Sequence, residues 1–270
     1  MKASDRHTNG LRKITSNIRT MNPKIFIKEF VKKTLPKESS LYRFLARMNR
    51  RPLTDFYDSG FHGDTYLVNF ALHALKNAEQ YVETGASNGS TLVFVAKKFP
   101  NIRAWSCEPD KESYAFSREK TKDLQNVNLS KEMSPEFLYN LVKNNPGLTE
   151  KDTLFWLDAH ANGFSWPLKK EVEFITSNFD KAYIFIDDFL VPNRPWFGYD
   201  AYDGQICSMD FISDSLDKKH SYTVYYPTYQ DRTSSYCKLR GWVLIEFGHK
   251  KPLSIPPALL TKVEQISHAA

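Results

Sequence analysis

The chain has 270 residues, 41% hydrophobic and 25% charged, the composition of a globular protein with room for one α/β domain and an accessory segment. No apolar run approaches the ~20 residues of a membrane-spanning helix, and residues 1–20 lack the apolar centre of a secretory leader, so neither is expected. The three cysteines, Cys107, Cys207 and Cys237, show no CxxC spacing, which argues against a disulfide framework or a zinc site and makes the cytoplasm the expected compartment.

The net charge of +6 is unevenly spread: residues 1–52 hold 14 Lys/Arg and 3 Asp/Glu, a net +11, which leaves −5 for the rest. Residues 1–20 have no apolar periodicity. Ile25, Phe26, Ile27, Phe30 and Val31 then form a helical stripe that Pro36 ends. After Ser39 and Ser40, plausible N-caps, Leu41, Phe44, Leu45 and Met48 share one face, with Arg43, Arg47, Arg50 and Arg51 opposite. Pro52 marks the expected boundary between a basic helical extension, 1–52, and a main domain, 53–270. The basic excess suits an anionic membrane surface or an acidic partner; the alternative is a solvated face on helices that pack on the body or meet in a homodimer. Nucleic acid is not the expected partner, because interleaved aromatic residues are missing.

Beyond the boundary, strands and helices alternate. Helices are expected at 65–76, 90–99, 111–124 and 167–178, and strands at 81–83, 103–108, 153–158, 182–187, 222–226 and 242–247. The alternation implies βαβ units and a Rossmann-like, doubly wound, mostly parallel sheet.

Carboxylates close the successive strands: Glu83, Glu108, Asp158, and Asp187 with Asp188. In a parallel sheet these ends share one edge, where ligands bind at the point of topological reversal. The first strand leads into Glu83-Thr84-Gly85-Ala86-Ser87-Asn88-Gly89-Ser90-Thr91, whose glycines permit close backbone approach and whose following helix offers free N–H groups. The nicotinamide GxGxxG pattern fails at Ser87 and Ser90, and no P-loop lysine follows. Glu108, at the next strand end, can accept from two ribose hydroxyls.

With VETGASNGST at 82–91, CEPD at 107–110, LFWLDAH at 154–160 and IFIDD at 184–188, residues 60–248 resemble the class I S-adenosylmethionine-dependent methyltransferases. The resemblance implies that Glu83 and Gly85 line the methionine moiety, with Ser87 and Gly89 in the same loop. It also implies that Glu108 holds the ribose and that Met133-Ser134 lies beside adenine, with Asp158 at the cofactor's edge. Ser87 replaces a glycine that the family often has.

Asp158, Asp187 and Asp188, converging at neighbouring strand ends, would offer oxygen ligands to a hard cation such as Mg²⁺. In this they resemble metal-dependent O-methyltransferases, and Asp188 makes the set more similar to the sugar type than to the catechol type. His160, two residues past Asp158, is the expected base, since an ordinary imidazole pKa of ~6.5 suits removal of a hydroxyl proton. The Asp-Pro-Pro-Tyr type motif of amino-methylating enzymes is absent, which favours a hydroxyl acceptor on a small molecule or glycan. The aromatic, turn-rich stretch 191–204 would form a lid over it. A non-catalytic protein that keeps the fold for cofactor sensing or partner binding is the alternative.

Overall fold

The computed structural model describes residues 60–160, 165–230, 239–255 and 261–266. The expected N-terminal helices and the boundary at 52/53 lie outside the described residues. No described helix is long and apolar enough to cross a membrane.

Eight strands form the main sheet: β1 (Gln80–Thr84), β2 (Arg103–Cys107), β3 (Val127–Ser130), β4 (Thr153–Leu157), β5 (Ala182–Asp187), β6 (Tyr222–Pro227), β7 (Trp242–Phe247) and β8 (Thr261–Ile266). Their spatial order is β8-β6-β7-β5-β4-β1-β2-β3. Strands β1 to β5 pair in parallel, β7 runs antiparallel to both β5 and β6, and β8 runs antiparallel to β6. Six strands therefore share one direction, as expected of a mostly parallel doubly wound sheet. Every residue of β1, β4 and β5 is buried, the signature of a parallel sheet covered on both faces.

The helices are α1 (Thr65–Leu75), α2 (Ser90–Lys98), α3 (Lys111–Thr121), α4 (Ser134–Asn144), α5 (Leu168–Asn178) and the short α6 (Met209–Ile212). Neither β3 nor α4 is among the expected elements, and β8 is a further addition. Strand β3 is four residues long, with only Val127 and Leu129 apolar, too short for a periodic signal. Helix α1 starts where Asp64 accepts from the N–H groups of Tyr66 and Leu67. Its Phe70 is buried in a ring cluster with Phe185 of β5 and Trp242 of β7, at centroid distances of 6.0 and 5.5 Å. That contact fixes the helix against the sheet.

Candidate active site

The chain winds outward from β1 through β2 to β3 and then returns to β4 and β5, so the sheet reverses its winding between β1 and β4. The register pairs Thr84 with Cys107 and with Leu157, and Leu157 with Ile186. One residue further along, Gly85, Glu108, Asp158 and Asp187 therefore stand in one row across the carboxyl edge. Neighbouring members of such a row are about 5 Å apart.

Gly85 has φ 80°, and a Cβ there would lie 2.6 Å from the Asp158 carbonyl oxygen, so only glycine lets the two strand ends approach this closely. Ser87 also takes a left-handed φ of 47°, the conformation that the family glycine would supply without strain. Its N–H donates to Glu108 Oε2 at 2.7 Å, while the Asp110 N–H donates to Oε1 at 2.9 Å. Glu108 thus ties the β1 loop to the end of β2. Gly89 caps α2 in the left-handed region. Glu83 points into the sheet interior, where it accepts from Ser106 Oγ at 2.8 Å and Tyr81 Oη at 3.3 Å. Burial pushes its carboxyl up to about 8, against the pull of Ser106.

On the other side of the reversal, Asp158, His160, Glu171, Asp187, Asp188 and Asp200 line one narrow pocket of about 10 Å³. His160 Nε2 lies 3.3 Å from Asp158 Oδ1 and 3.9 Å from Asp188 Oδ2, and its Nδ1 lies 3.2 Å from Asp200 Oδ2. These hydrogen-bonding carboxylates raise the imidazole to about 11. The expectation of an ordinary imidazole pKa is corrected accordingly: two carboxylates, one on each ring nitrogen, hold the proton in this geometry. Asp188, at φ 52°, accepts from Arg240 Nε, and Asp200 accepts from the same guanidinium and from Tyr202 Oη. Burial first and Asp187 second push the Asp188 carboxyl to about 6. Asp158 is raised by burial and by Asp187. Asp187 is lowered, because the neighbouring His62 outweighs its burial.

The predicted residues fall into two groups along one edge. Asp158, His160, Asp187 and Asp188 meet in the pocket over β4 and β5. Gly85, Ser87, Gly89 and Glu108 follow the edge over β1 and β2, with Glu83 beneath it, while Ser134, at the start of α4, lies beside Glu171 of the pocket.

Sequence reasoning missed four members: His62, Glu171, Asp200 as a pairing residue, and Arg240. His62 Nε2 lies 2.5 Å from Asp187 Oδ2. Glu171 is fully buried on α5 and neither of its oxygens makes a hydrogen bond. Burial pushes it to about 7, and the nearby Ser134 and Thr84 hydroxyls, themselves buried without a hydrogen-bond partner, pull the other way. Glu171 was the most visible of the four, a carboxylate inside the apolar stripe Leu168, Val172, Ile175. His62 sits in Gly60–Gly63, four consecutive residues of positive φ that show no periodicity.

No protein-family model and no curated protein matches the sequence. Among solved structures, a proposed O-methyltransferase from Klebsiella pneumoniae aligns with 82% of this chain and 96% of its own, at 16% identity and a TM-score of 0.50. An O-methyltransferase from Bacillus cereus in complex with SAH covers 81% of this chain and 95% of its own, at 14% identity and 0.48. A SAM-dependent methyltransferase from Aquifex aeolicus gives 75%, 97%, 12% and 0.45 in the same order. The chain has the Rossmann-like fold of the Klebsiella protein; chemistry has to be argued from the site.

Proposed function

We propose that the chain is an S-adenosylmethionine-dependent methyltransferase that methylates a hydroxyl of a small molecule or sugar, assisted by a divalent cation. The observation that carries the proposal is the row Gly85, Glu108, Asp158 and Asp187 across the edge where the sheet reverses. The site suits the cofactor. Glu108, held at the edge by the Ser87 and Asp110 N–H groups, would offer its two oxygens to ribose. The Gly85–Gly89 loop, with Glu83 buried beneath it, would take the methionine end. A cation would meet Asp158, Asp187 and Asp188, where Asp187 Oδ1 is buried without a hydrogen-bond partner.

The cofactor supplies a methyl group already activated on a sulfonium, so the protein's task is alignment and proton removal. The acceptor hydroxyl would enter the edge over β4 and β5 beside Asp158. In the His160–Asp158 pair the carboxylate would accept the proton that the acceptor hydroxyl loses on methylation. The imidazolium would face the partial negative charge that develops on the acceptor oxygen in the transition state. Tyr202 and Trp166, whose rings lie 5.1 Å apart beside His160, form an apolar wall for the acceptor's carbon skeleton.

Transfer of label from [methyl-³H]S-adenosylmethionine to a panel of polyols, sugars and phenols tests the reading. It expects transfer that EDTA abolishes and that Asp187→Ala lowers by ~100-fold or more. Transfer indifferent to both contradicts the cation, and no transfer to any hydroxyl acceptor contradicts the O-methylation.

A further inference from the structure

The pocket's carboxylates are met by a histidine from a different part of the chain. Phe61 is fully buried, edge-to-face on Trp156 of β4 at 4.8 Å, and its N–H donates to Thr91 Oγ1 of α2 at 3.2 Å. This anchor holds the neighbouring His62 at the end of β5. His62 Nε2 and carboxylate oxygens of Asp158 and Asp187 all lie within 4.8 Å of one another. Asp187 lines the pocket, is 4% exposed, and has one buried oxygen without a hydrogen-bond partner.

We infer that His62, Asp158 and Asp187 form a binding site for one divalent transition-metal ion, and that His62 selects manganese, iron, cobalt or zinc over magnesium. The inference rests on the cation assistance proposed above and changes its ligand set, with His62 taking the place of Asp188. Two physical arguments support it. Imidazole is a donor for borderline transition metals, whereas a set made of oxygens alone suits magnesium. The charge also fits. With His62 neutral, as a ligand must be, fully ionised Asp158, Glu171, Asp187, Asp188 and Asp200 exceed Arg240 and a protonated His160 by three negative charges, most of which a divalent ion offsets. A second set, Asp158, His160 and Asp188, is equally close. There, however, Arg240 already neutralises charge on both Asp188 and Asp200.

Cobalt(II) chloride is the probe, with the full chain titrated while visible d–d absorption is recorded. The inference expects one bound equivalent that excess magnesium chloride fails to displace. His62→Ala, His62→Gln and Asp187→Asn should each weaken cobalt binding by at least ~tenfold, and Asp188→Asn by less than ~threefold. Circular dichroism verifies that each variant is folded. Should the His62 variants misfold, proton NMR of the cobalt-loaded protein decides. An exchangeable, hyperfine-shifted imidazole signal that persists in His160→Ala supports the site, and its absence there overturns it. No cobalt absorption, unchanged affinity in folded His62 variants, or displacement by magnesium at comparable concentration also overturns it. Calorimetry with S-adenosylmethionine separates the two proposals. Cobalt binding through His62 without cofactor binding leaves this site standing and removes the methyltransferase reading; cofactor binding with unaltered cobalt affinity in the His62 variants does the reverse.

Discussion

Among individual residues, Glu83 has the most direct consequence for solution behaviour. It is buried between Tyr81 and Ser106, and its carboxyl is raised from 4.5 to about 8. Below pH ~4.5 it is protonated in both the folded and unfolded chain and contributes no pH dependence. Between pH ~4.5 and about 8 the unfolded chain releases this proton first, so stability falls as pH rises, and above about 8 the decline levels off. The loss attributable to this one group is on the order of 1–4 kcal/mol. Urea unfolding of Glu83→Gln at pH 5 and pH 8 should therefore show a smaller decline than the parent chain. An equal decline in both would mean that Glu83 is ionised in the folded protein. The identity of these carboxylates was legible because each closes an apolar run. Their partners were not: Arg240 stands two residues after Lys238 ahead of β7, and nothing local in the sequence ties it to Asp188 or Asp200.

At the scale of elements, the β1 loop and α1 each carry a prediction. Ser87 holds a left-handed φ of 47° that costs an L-residue roughly 1–2 kcal/mol, offset in part by the extra freedom glycine has when unfolded. Ser87→Gly should gain ~0.5–1 kcal/mol, a rise in Tm of about 1–4 °C by scanning calorimetry. A lower Tm would contradict the strain assigned to this turn. Phe70 ties α1 to β5 and β7, and removing a buried ring of this kind costs about 3–5 kcal/mol. Phe70→Ala should lower unfolding free energy by that amount in urea, and a loss below ~1 kcal/mol would show that α1 is held by other contacts. Strands β1, β2, β4 and β5 and helices α1, α2, α3 and α5 were readable from their apolar runs and stripes. Strand β3 was not, because it is short and lies at the edge with only partial burial. Helix α4 carries a usable stripe in Phe137, Leu138 and Leu141 that the reading passed over. The Gly60–Gly63 run follows backbone demands that no side-chain period encodes.

Over the whole molecule, the outward winding from β1 to β3 and the return to β4 and β5 divide the carboxyl edge in two. Glu108 belongs to one half; Asp158, His160 and Asp187 belong to the other. The account assigns the first half, with the β1 loop, to the cofactor and the second to the acceptor and cation. This division follows from strand order, which the sequence pattern implied through alternation alone, without register or pairing. Isothermal titration of the full chain with S-adenosylmethionine tests it most directly, in the parent protein, Glu108→Ala and Asp188→Asn. The account predicts a single binding event in the parent, weakened at least ~tenfold in Glu108→Ala, where two ribose hydrogen bonds are lost, and nearly unchanged in Asp188→Asn. No heat of binding in the parent, or equal affinity in Glu108→Ala, would contradict it.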